Sequence, residues 1–213
     1  MIKAAIIDFD DTLIQTSRFR RGLLETTIRR WNGIASEDPV SLNWGQPFRI
    51  MVESFVGKDK YDLFKEFYKK TMLQTTVNLC DGVEQFLCFL KQQQIPVVIF
   101  SSSIRELIEL DLNRLGVLDL ITHIIDSESV IKPKPNPEAL YTSLKWLQDS
   151  HKIMAADCVY IGDSLDDMRC AGNQIDFYAV LSGTTTRQDF LTNGLPENKI
   201  VESLDDLVSV LFP

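Results

Sequence analysis

The sequence predicts an α/β protein with a doubly wound, mainly parallel sheet and a small all-helical insertion. Short continuous apolar runs recur, segments with apolar residues at helical spacing lie between them, and one long stretch has only helical patterns. Continuous rather than alternating hydrophobicity indicates strands that are covered on both faces, as in parallel sheets. Strands that alternate with helices through right-handed crossovers give a doubly wound fold.

The elements follow in chain order from these patterns. The apolar runs predict strands at 4–8, 96–101, 121–126, 158–163 and 177–181. Spacings of three and four predict helices at 83–94, 104–115, 137–148 and 165–172. Two of the helices have start signals: Ser103 with Glu106 fits a capping box, and Asn136 before Pro137 fits an N-cap followed by proline.

The segment from about 17 to 75 departs from this alternation. Its pattern predicts helices over 18–31, 48–56 and 60–73, with a connection through Gly33, Pro39 and Gly45. A helical insertion directly after the first strand is best placed as a small cap over the strand ends. A chain of 213 residues suits one core with one insertion. We therefore predict a core of residues 1–14 and 81–213 and a cap of residues 15–80.

Composition narrows the class of protein. Apolar residues make up 45% of the chain and charged residues 24%, as in ordinary globular proteins. No apolar stretch approaches the length of roughly 20 residues that crosses a bilayer, and Asp8 interrupts any signal-peptide pattern. These features predict a cytoplasmic protein without a membrane partner. The net charge of −8 argues against a nucleic-acid partner.

Charge is distributed unevenly along the chain. Residues 14–80 contain 11 Lys and Arg against 7 Asp and Glu, whereas the rest contains 11 against 23. A basic segment in an acidic body could draw in an anionic substrate, although such charges are also typical of a solvated helical surface.

Cysteine and histidine usage disfavours zinc and disulfides. Cys80, Cys88, Cys158 and Cys170 have no C-x-x-C spacing, and the chain contains two histidines. Reduced, buried thiols are the expected state.

Three of the predicted strands end in groups suited to chemistry. Asp8 and Asp10 follow the first strand, Ser101 follows the second, and Asp163 follows the fourth. In an open parallel sheet, ligands bind beyond the carboxyl ends of the strands, so these groups should converge. Neighbouring carboxylates resist joint ionisation unless a cation lies among them, and hard oxygen ligands suit Mg²⁺. The sequence therefore predicts a magnesium site.

Phosphate chemistry also needs positive charge, and the loop V-I-K-P-K-P-N-P, residues 130–137, supplies it. Lys132 is the favoured residue because it precedes the first proline of the run. Lys134 is the alternative in the same loop.

Four motifs in order resemble those of the haloacid dehalogenase superfamily, whose members are mostly phosphatases. Residues 8–12 resemble the first motif, D-x-D-x-T, and Ser101 the second. Lys132 in K-P-x-P-x-P resembles the third motif, and residues 162–167 resemble the fourth, G-D-x-x-x-D. One D-x-D-x-T motif is a weak signal, but four motifs at strand ends are a strong one.

The resemblance implies a role for each matching residue. Asp8 would be the nucleophile that forms an aspartyl phosphate, and Asp10 the general acid and then the general base. Mg²⁺ would be bound by Asp8, the backbone carbonyl of Asp10 and Asp163. Ser101 and Lys132 would hold the phosphoryl oxygens.

Further residues would support these groups. Thr12 and Ser102 are expected among the phosphate-binding residues. Asp167 would orient Lys132 or bind the metal through water, with Ser164 beside it. Asp11 occupies a position where many relatives have glycine, so we interpret it as a structural residue of the turn. Asp166 is expected to be an exposed residue in the first turn of a helix.

The predicted function is a Mg²⁺-dependent phosphomonoesterase of the phosphoglycolate phosphatase type, acting on a small phosphorylated metabolite. We expect a monomer or a weak dimer. The alternatives are a phosphotransferase or phosphomutase of the same superfamily, whose members usually carry valine where Thr12 stands, and a non-enzymatic phosphate-binding regulatory module. A dehalogenase proper would lack the second acid, Asp10. The sequence leaves open the natural substrate and whether Arg18, Arg20 and Arg21 contact it.

Overall fold

A parallel sheet of six strands lies at the centre of the protein in the computed structural model, which describes residues 2–16, 19–34, 40–42 and 46–212. The strands are β1 (Ala4–Ile7), β2 (Val97–Phe100), β3 (His123–Ile125), β4 (Cys158–Gly162), β5 (Asp176–Val180) and β6 (Ile200–Val201). Their order is β3-β2-β1-β4-β5-β6, and every neighbouring pair is parallel. The predicted doubly wound fold is confirmed. Strand β6 was not predicted because a run of two residues carries no pattern.

The strands have continuous apolar runs because both faces of the sheet are covered. Every residue of β1, β2 and β4 is buried. Ala5 and Ile7 pack into the hydrophobic cluster on one face, whereas Ala4 and Ile6 pack into the cluster on the other. Alternation along a strand therefore separates two cores rather than a core from solvent.

Nine helices surround or cap the sheet among the described residues: α1 (Arg20–Asn32), α2 (Phe48–Val56), α3 (Tyr61–Met72), α4 (Val83–Gln92), α5 (Arg105–Arg114), α6 (Tyr141–His151), α7 (Leu165–Ala171), α8 (Arg187–Thr192) and α9 (Asp206–Leu211). The seven predicted helices correspond to α1–α7, whereas the short helices α8 and α9 were not predicted. Of the helices described, none combines the length and the apolar character needed to span a bilayer.

One of the two predicted helix starts is confirmed. Asn136 accepts a hydrogen bond from the backbone N–H of Glu138 at 2.9 Å, and a short 3₁₀ turn from Pro137 leads into α6. The predicted capping box at Ser103 is wrong, because α5 begins at Arg105. The Arg105 N–H instead donates to the carboxylate of Asp126 at 3.1 Å, which follows β3 and is distant in sequence.

Helices α1, α2 and α3 form the helical insertion. They pack around a cluster of their own, which includes Leu24, Val52, Phe64 and Tyr68, and Leu107 of α5 joins this cluster from the core. Arg18, Pro39 and Gly45 lie outside the described residues. The proposed boundaries of the cap, residues 15 and 80, remain predictions.

Polar contacts join the insertion to the core. The backbone N–H of Phe48 donates to the carbonyl of Ser102 at 3.0 Å. Arg114 of α5 donates to the carbonyl of Met72 at 3.1 Å, at the end of α3. Lys65 of α3 lies 3.0 Å from Glu106 of α5. These contacts place the insertion over the edge of the sheet at which β1 and β2 end.

Candidate active site

The register of the sheet brings distant motifs to one edge. Ile7 of β1 is paired with Ile99 of β2 and with Ile161 of β4. The residues just beyond these pairs, Asp8, Ser101 and Asp163, therefore meet at the carboxyl ends of adjacent strands. Strand order reverses at β1, which is where an open α/β sheet forms its ligand crevice.

A buried lysine holds the carboxylate of Asp8, and it is Lys134. Its Nζ donates to Asp8 Oδ1 at 2.5 Å, to Asp167 Oδ1 at 2.7 Å and to the carbonyl of Phe100 at 2.8 Å. The side chain of Lys134 is 6% exposed and that of Asp8 is 10% exposed. All three ammonium hydrogens thus have acceptors, which a buried ammonium group requires.

The prediction of Lys132 at this position is wrong. The Lys132 side chain is 50% exposed, and its Nζ pairs with Glu138 at 2.6 Å. Both lysines precede a proline, so the local sequence does not distinguish them. The path of the loop decides which side chain enters the site, and that path depends on contacts with Phe100 and Asp167.

Thr12 lies between the two carboxylates that the first and fourth motifs supply. Its hydroxyl donates to Asp163 Oδ1 at 3.0 Å and lies 3.4 Å from Asp8 Oδ2. Because one hydroxyl has one proton, the shorter contact with Asp163 is the hydrogen bond. The structure thus places Thr12 against the carboxylates, whereas the sequence suggested contact with phosphate.

A loop that sequence reasoning missed packs against Asp163. A Cβ added to Gly183 would overlap the carboxylate, coming within 2.7 Å of Asp163 Cγ. Only glycine therefore permits this approach of the loop. The stretch of small residues after β5, S-G-T-T-T, was the available signal.

The carboxylate of Asp167 contacts the buried lysine directly. Besides Lys134, its carboxylate accepts hydrogen bonds from the hydroxyls of Tyr160 and Ser164. Ser164 and Asp167 also form the capping box that begins α7. The helix start and the lysine are therefore held by one carboxylate. The orienting role of Asp167, with Ser164 beside it, remains a prediction, and the lysine that Asp167 contacts is Lys134 rather than Lys132.

Asp10 projects toward the insertion, and its side chain is 26% exposed. Ser101 Oγ donates to Asp10 Oδ2 at 3.5 Å and itself accepts the backbone N–H of Ser103 at 2.9 Å. On the other side, Arg20 Nη1 lies 3.5 Å from Asp10 Oδ1.

Arg21 is more exposed and pairs with Glu25 at 3.4 Å. Arg18 lies outside the described residues.

Asp11 forms the turn between the first motif and the insertion. Its φ is +58°, in the left-handed region that aspartate tolerates better than most residues. One carboxylate oxygen accepts the backbone N–H of Thr16 at 2.8 Å. This geometry suits the structural interpretation of Asp11. The carboxylate of Asp166 pairs with Arg169 on the exposed side of α7.

Burial and like charges raise the pKa values of the acidic residues. Burial raises the pKa of Asp8 to about 8; Lys134 opposes this shift, and Asp167 and Asp10 add to it. Burial, and after it the negative charge of Asp8, holds the pKa of Asp163 well above its usual range. Burial also raises the pKa of Asp10, against the effect of Arg20. Burial is thus the main cause of the raised pKa values, and the neighbouring carboxylates add to it.

The donor set fits a hard divalent cation. Asp8, Asp163 and Asp167 each offer a carboxylate oxygen, and these atoms lie within 4.8 Å of one another. Since Lys134, Tyr160 and Ser164 occupy Asp167, the carboxylates best suited to a cation are those of Asp8 and Asp163. Oxygen donors of this kind suit Mg²⁺, which typically uses one or two carboxylates together with substrate phosphate and water.

A cavity of about 490 Å³ opens beside these groups. Asp8, Asp163 and Lys134 line the side nearest the sheet. Four apolar residues also line the cavity: Phe48, Met51 and Tyr68 of the insertion and Leu107 of α5. Arg20, Arg21 and Gln46 line it as well. The lining of the cavity therefore combines ionic and apolar groups.

The fold and the site together are those of a doubly wound α/β protein with an acidic centre at its strand ends. A family model described as haloacid dehalogenase-like hydrolase matches residues 5–180. The chain belongs to this family, as its motifs indicated.

Known relatives agree with this assignment. The chain is 29% identical over 150 residues to validoxylamine A 7'-phosphate phosphatase of Streptomyces hygroscopicus subsp. limoneus, covering 67% of this chain and 70% of that protein. It is 23% identical over 181 residues to a phosphoglycolate phosphatase of Colwellia psychrerythraea, covering 78% of each. A crystal structure described as a haloacid dehalogenase-like hydrolase from Bacteroides fragilis superposes with a TM-score of 0.74 at 26% identity, covering 97% of this chain and 100% of that one. The family and the names of these relatives support hydrolysis of phosphate esters.

Proposed function

We propose that this protein is a Mg²⁺-dependent phosphatase that hydrolyses a small phosphorylated metabolite through an aspartyl phosphate on Asp8. The observation that carries the proposal is the fixed carboxylate of Asp8. It lies at the end of β1, is held by Lys134 and faces Asp163 across the crevice. The proposed nucleophile, a cationic side chain and a proposed metal ligand therefore lie together at the strand ends, where the phosphoryl group would bind.

The metal would be held by Asp8, Asp163 and the backbone carbonyl of Asp10. When bound, Mg²⁺ supplies positive charge that offsets the phosphoryl oxygens. The residues nearby accommodate it, because the buried carboxylates of Asp8 and Asp163 offer oxygen atoms within 4.8 Å of one another. Burial raises the pKa values of both groups, and a bound cation would offset the cost of ionising them.

The reaction proceeds in two displacements. A carboxylate oxygen of Asp8 attacks phosphorus, and the bond between phosphorus and the ester oxygen breaks. Asp10 donates its proton to the departing oxygen, so that an alcohol leaves. Asp10 then accepts a proton from water as that water attacks the phosphoryl group, which regenerates Asp8 and releases inorganic phosphate. Lys134 neutralises charge at the phosphoryl group throughout, and this electrostatic contribution dominates phosphoryl transfer.

The apolar residues that line the cavity favour one class of substrate. Phe48, Met51 and Tyr68 belong to the insertion and line the cavity. A volume of about 490 Å³ lies within the range of small-molecule sites, roughly 300–1,000 Å³. We expect a leaving group with apolar surface, larger than a two-carbon acid. A cytoplasmic location and a monomeric or weakly dimeric state remain predictions from the sequence.

The decisive test is release of p-nitrophenol from p-nitrophenyl phosphate, measured with Mg²⁺ and with EDTA. We expect Mg²⁺-dependent release that Asp8→Asn abolishes without unfolding the protein. Asp157→Asn is the matched control. Asp157 lies just before β4, at the amino ends of the strands and away from the site, and it pairs with Lys3. A fully active Asp8→Asn protein would refute the proposal. A lasting phosphoaspartate without turnover would instead favour a phosphotransferase or a regulatory module.

The substrate can be sought with the same variant. Esters that bind the folded Asp8→Asn protein in the presence of Mg²⁺ raise its melting temperature by mass action. Phosphoglycolate and esters with larger apolar groups should be compared at equal concentration. A larger shift with phosphoglycolate would contradict the expected leaving group.

A further inference from the structure

Arg20 is buried where the insertion meets the core. It is the first residue of α1 and is 8% exposed, whereas the side chain of the next residue, Arg21, is 53% exposed. Burial of a guanidinium group is costly unless its charge and its N–H groups are paired. The partners of Arg20 therefore indicate what its position serves.

Those partners belong to the core. One guanidinium nitrogen, Nη2, pairs with the carboxylate of Asp111 in α5, a residue that is fully buried. The other, Nη1, lies 3.5 Å from Asp10 Oδ1. The guanidinium carbon is also 5.9 Å from the centre of the Phe9 ring. The first helical residue of the insertion thus contacts the proposed general acid directly.

We propose that Arg20 is a positioning residue that fixes the carboxyl group of Asp10 for proton transfer to the leaving group. This inference rests on the proposed function. Partners on both oxygens restrict the rotation of a carboxyl group more than a partner on one oxygen does. Ser101 approaches one oxygen of Asp10 and Arg20 approaches the other. Asp111 pairs with the other guanidinium nitrogen, and the planar fork of arginine presents its donors to the two carboxylates in a fixed relative geometry, which the single ammonium group of lysine does not provide.

The competing explanation is that Arg20 only neutralises Asp111. Arg114 offers a matched comparison, because its Nη1 lies 3.7 Å from Asp111 Oδ1. Arg114 also joins α5 to the insertion through the carbonyl of Met72. No contact between Arg114 and Asp10 is found among the described residues. A structural role would make the two arginines equivalent, whereas a positioning role would not.

The experiment compares two phosphate esters whose leaving oxygens differ in how strongly their departure depends on proton donation by a general acid. Phenyl phosphate expels a more basic oxygen than p-nitrophenyl phosphate, so its turnover depends more on proton donation. General acids contribute typically 10²–10⁴-fold, so we expect Arg20→Met to reduce kcat for phenyl phosphate at least about tenfold more than kcat for p-nitrophenyl phosphate. Arg114→Met should change both rates by the same factor.

Folding is controlled separately. Arg20→Met leaves Asp111 buried without this partner, so the pair is also removed together as Arg20→Met with Asp111→Leu, which replaces a buried ion pair by apolar groups. Arg20→Lys keeps the charge but not the fork. Both proteins should show the same selective loss with a native circular dichroism spectrum.

The outcomes separate the two proposals. Equal losses on the two esters, or the same selectivity in Arg114→Met, would overturn the role of Arg20 while leaving the phosphatase proposal intact. A wild-type protein that is inert toward both esters would contradict the proposed function and remove the basis for Arg20 with it.

Discussion

Replacing Lys134 by methionine tests whether Lys134, rather than Lys132, is the lysine of the site. Methionine keeps much of the length and apolar stem of lysine but removes the ammonium group. That group makes hydrogen bonds to Asp8, Asp167 and the carbonyl of Phe100. Its loss leaves two buried carboxylates facing each other without their shared cation.

The expected effect is large on both activity and stability. Removing one preorganised charge beside the reacting group costs about 10²–10³-fold in rate, or about 2.7–4 kcal/mol. Breaking a buried ion pair costs about 3–5 kcal/mol of stability, because the remaining charge is uncompensated. We therefore expect kcat/KM for p-nitrophenyl phosphate to fall at least about 100-fold, with a lower melting temperature.

Lys132→Met is the matched control two residues away. Lys132 pairs with Glu138 at an exposed position, and such pairs contribute about 0–1 kcal/mol. Its kcat/KM should stay within about threefold of wild type. The assay is initial-rate kinetics at saturating Mg²⁺, with circular dichroism to confirm folding. Equal losses in the two variants, or a folded Lys134→Met protein with wild-type activity, would refute the reasoning.

Three further predictions follow from the geometry of the site and the burial of the thiols. Asp163→Asn should abolish the rise in melting temperature that Mg²⁺ gives the wild-type protein; an unchanged rise would exclude Asp163 as a ligand. Gly183→Ala should reduce that rise and the activity by displacing Asp163, whereas Gly22→Ala, whose Cβ meets nothing within 4 Å, should leave both unchanged or stabilise α1 by up to about 1 kcal/mol. Burial, with the charge of Asp11 next, raises the pKa of Cys80 to about 12, so iodoacetamide at pH 8 should spare Cys80 in the native protein and label the half-buried Cys88, as read by peptide mass spectrometry.

The sequence was sufficient for the parts of the site that lie at strand ends. Asp8, Ser101 and Asp163 each follow an apolar run, and parallel pairing necessarily brings the ends of such runs to one edge. The convergence of these three residues could therefore be predicted from the continuous apolar runs that precede them. The functional roles of these residues remain proposals.

The rest depends on contacts between residues that are distant in sequence. The choice between Lys132 and Lys134 follows from the path of a loop whose two lysines have similar neighbours. The start of α5 is capped by Asp126 rather than by Ser103, since the register of β3 brings that carboxylate close. The pairing of Arg20 with Asp111 joins an inserted helix to a core helix, and no local pattern indicates such a partner.

The balance of charge connects the metal, the substrate and the insertion. At the edge of the sheet the described residues bring together four carboxylates, those of Asp8, Asp10, Asp163 and Asp167. Lys134 offsets part of this negative charge. Arg20 of the insertion adds a second positive charge, which it shares between Asp10 and Asp111. A dianionic ester adds further negative charge to a site in which burial limits screening by water. We therefore expect binding of the ester to require a cation, and for this reason EDTA should abolish turnover rather than only reduce it.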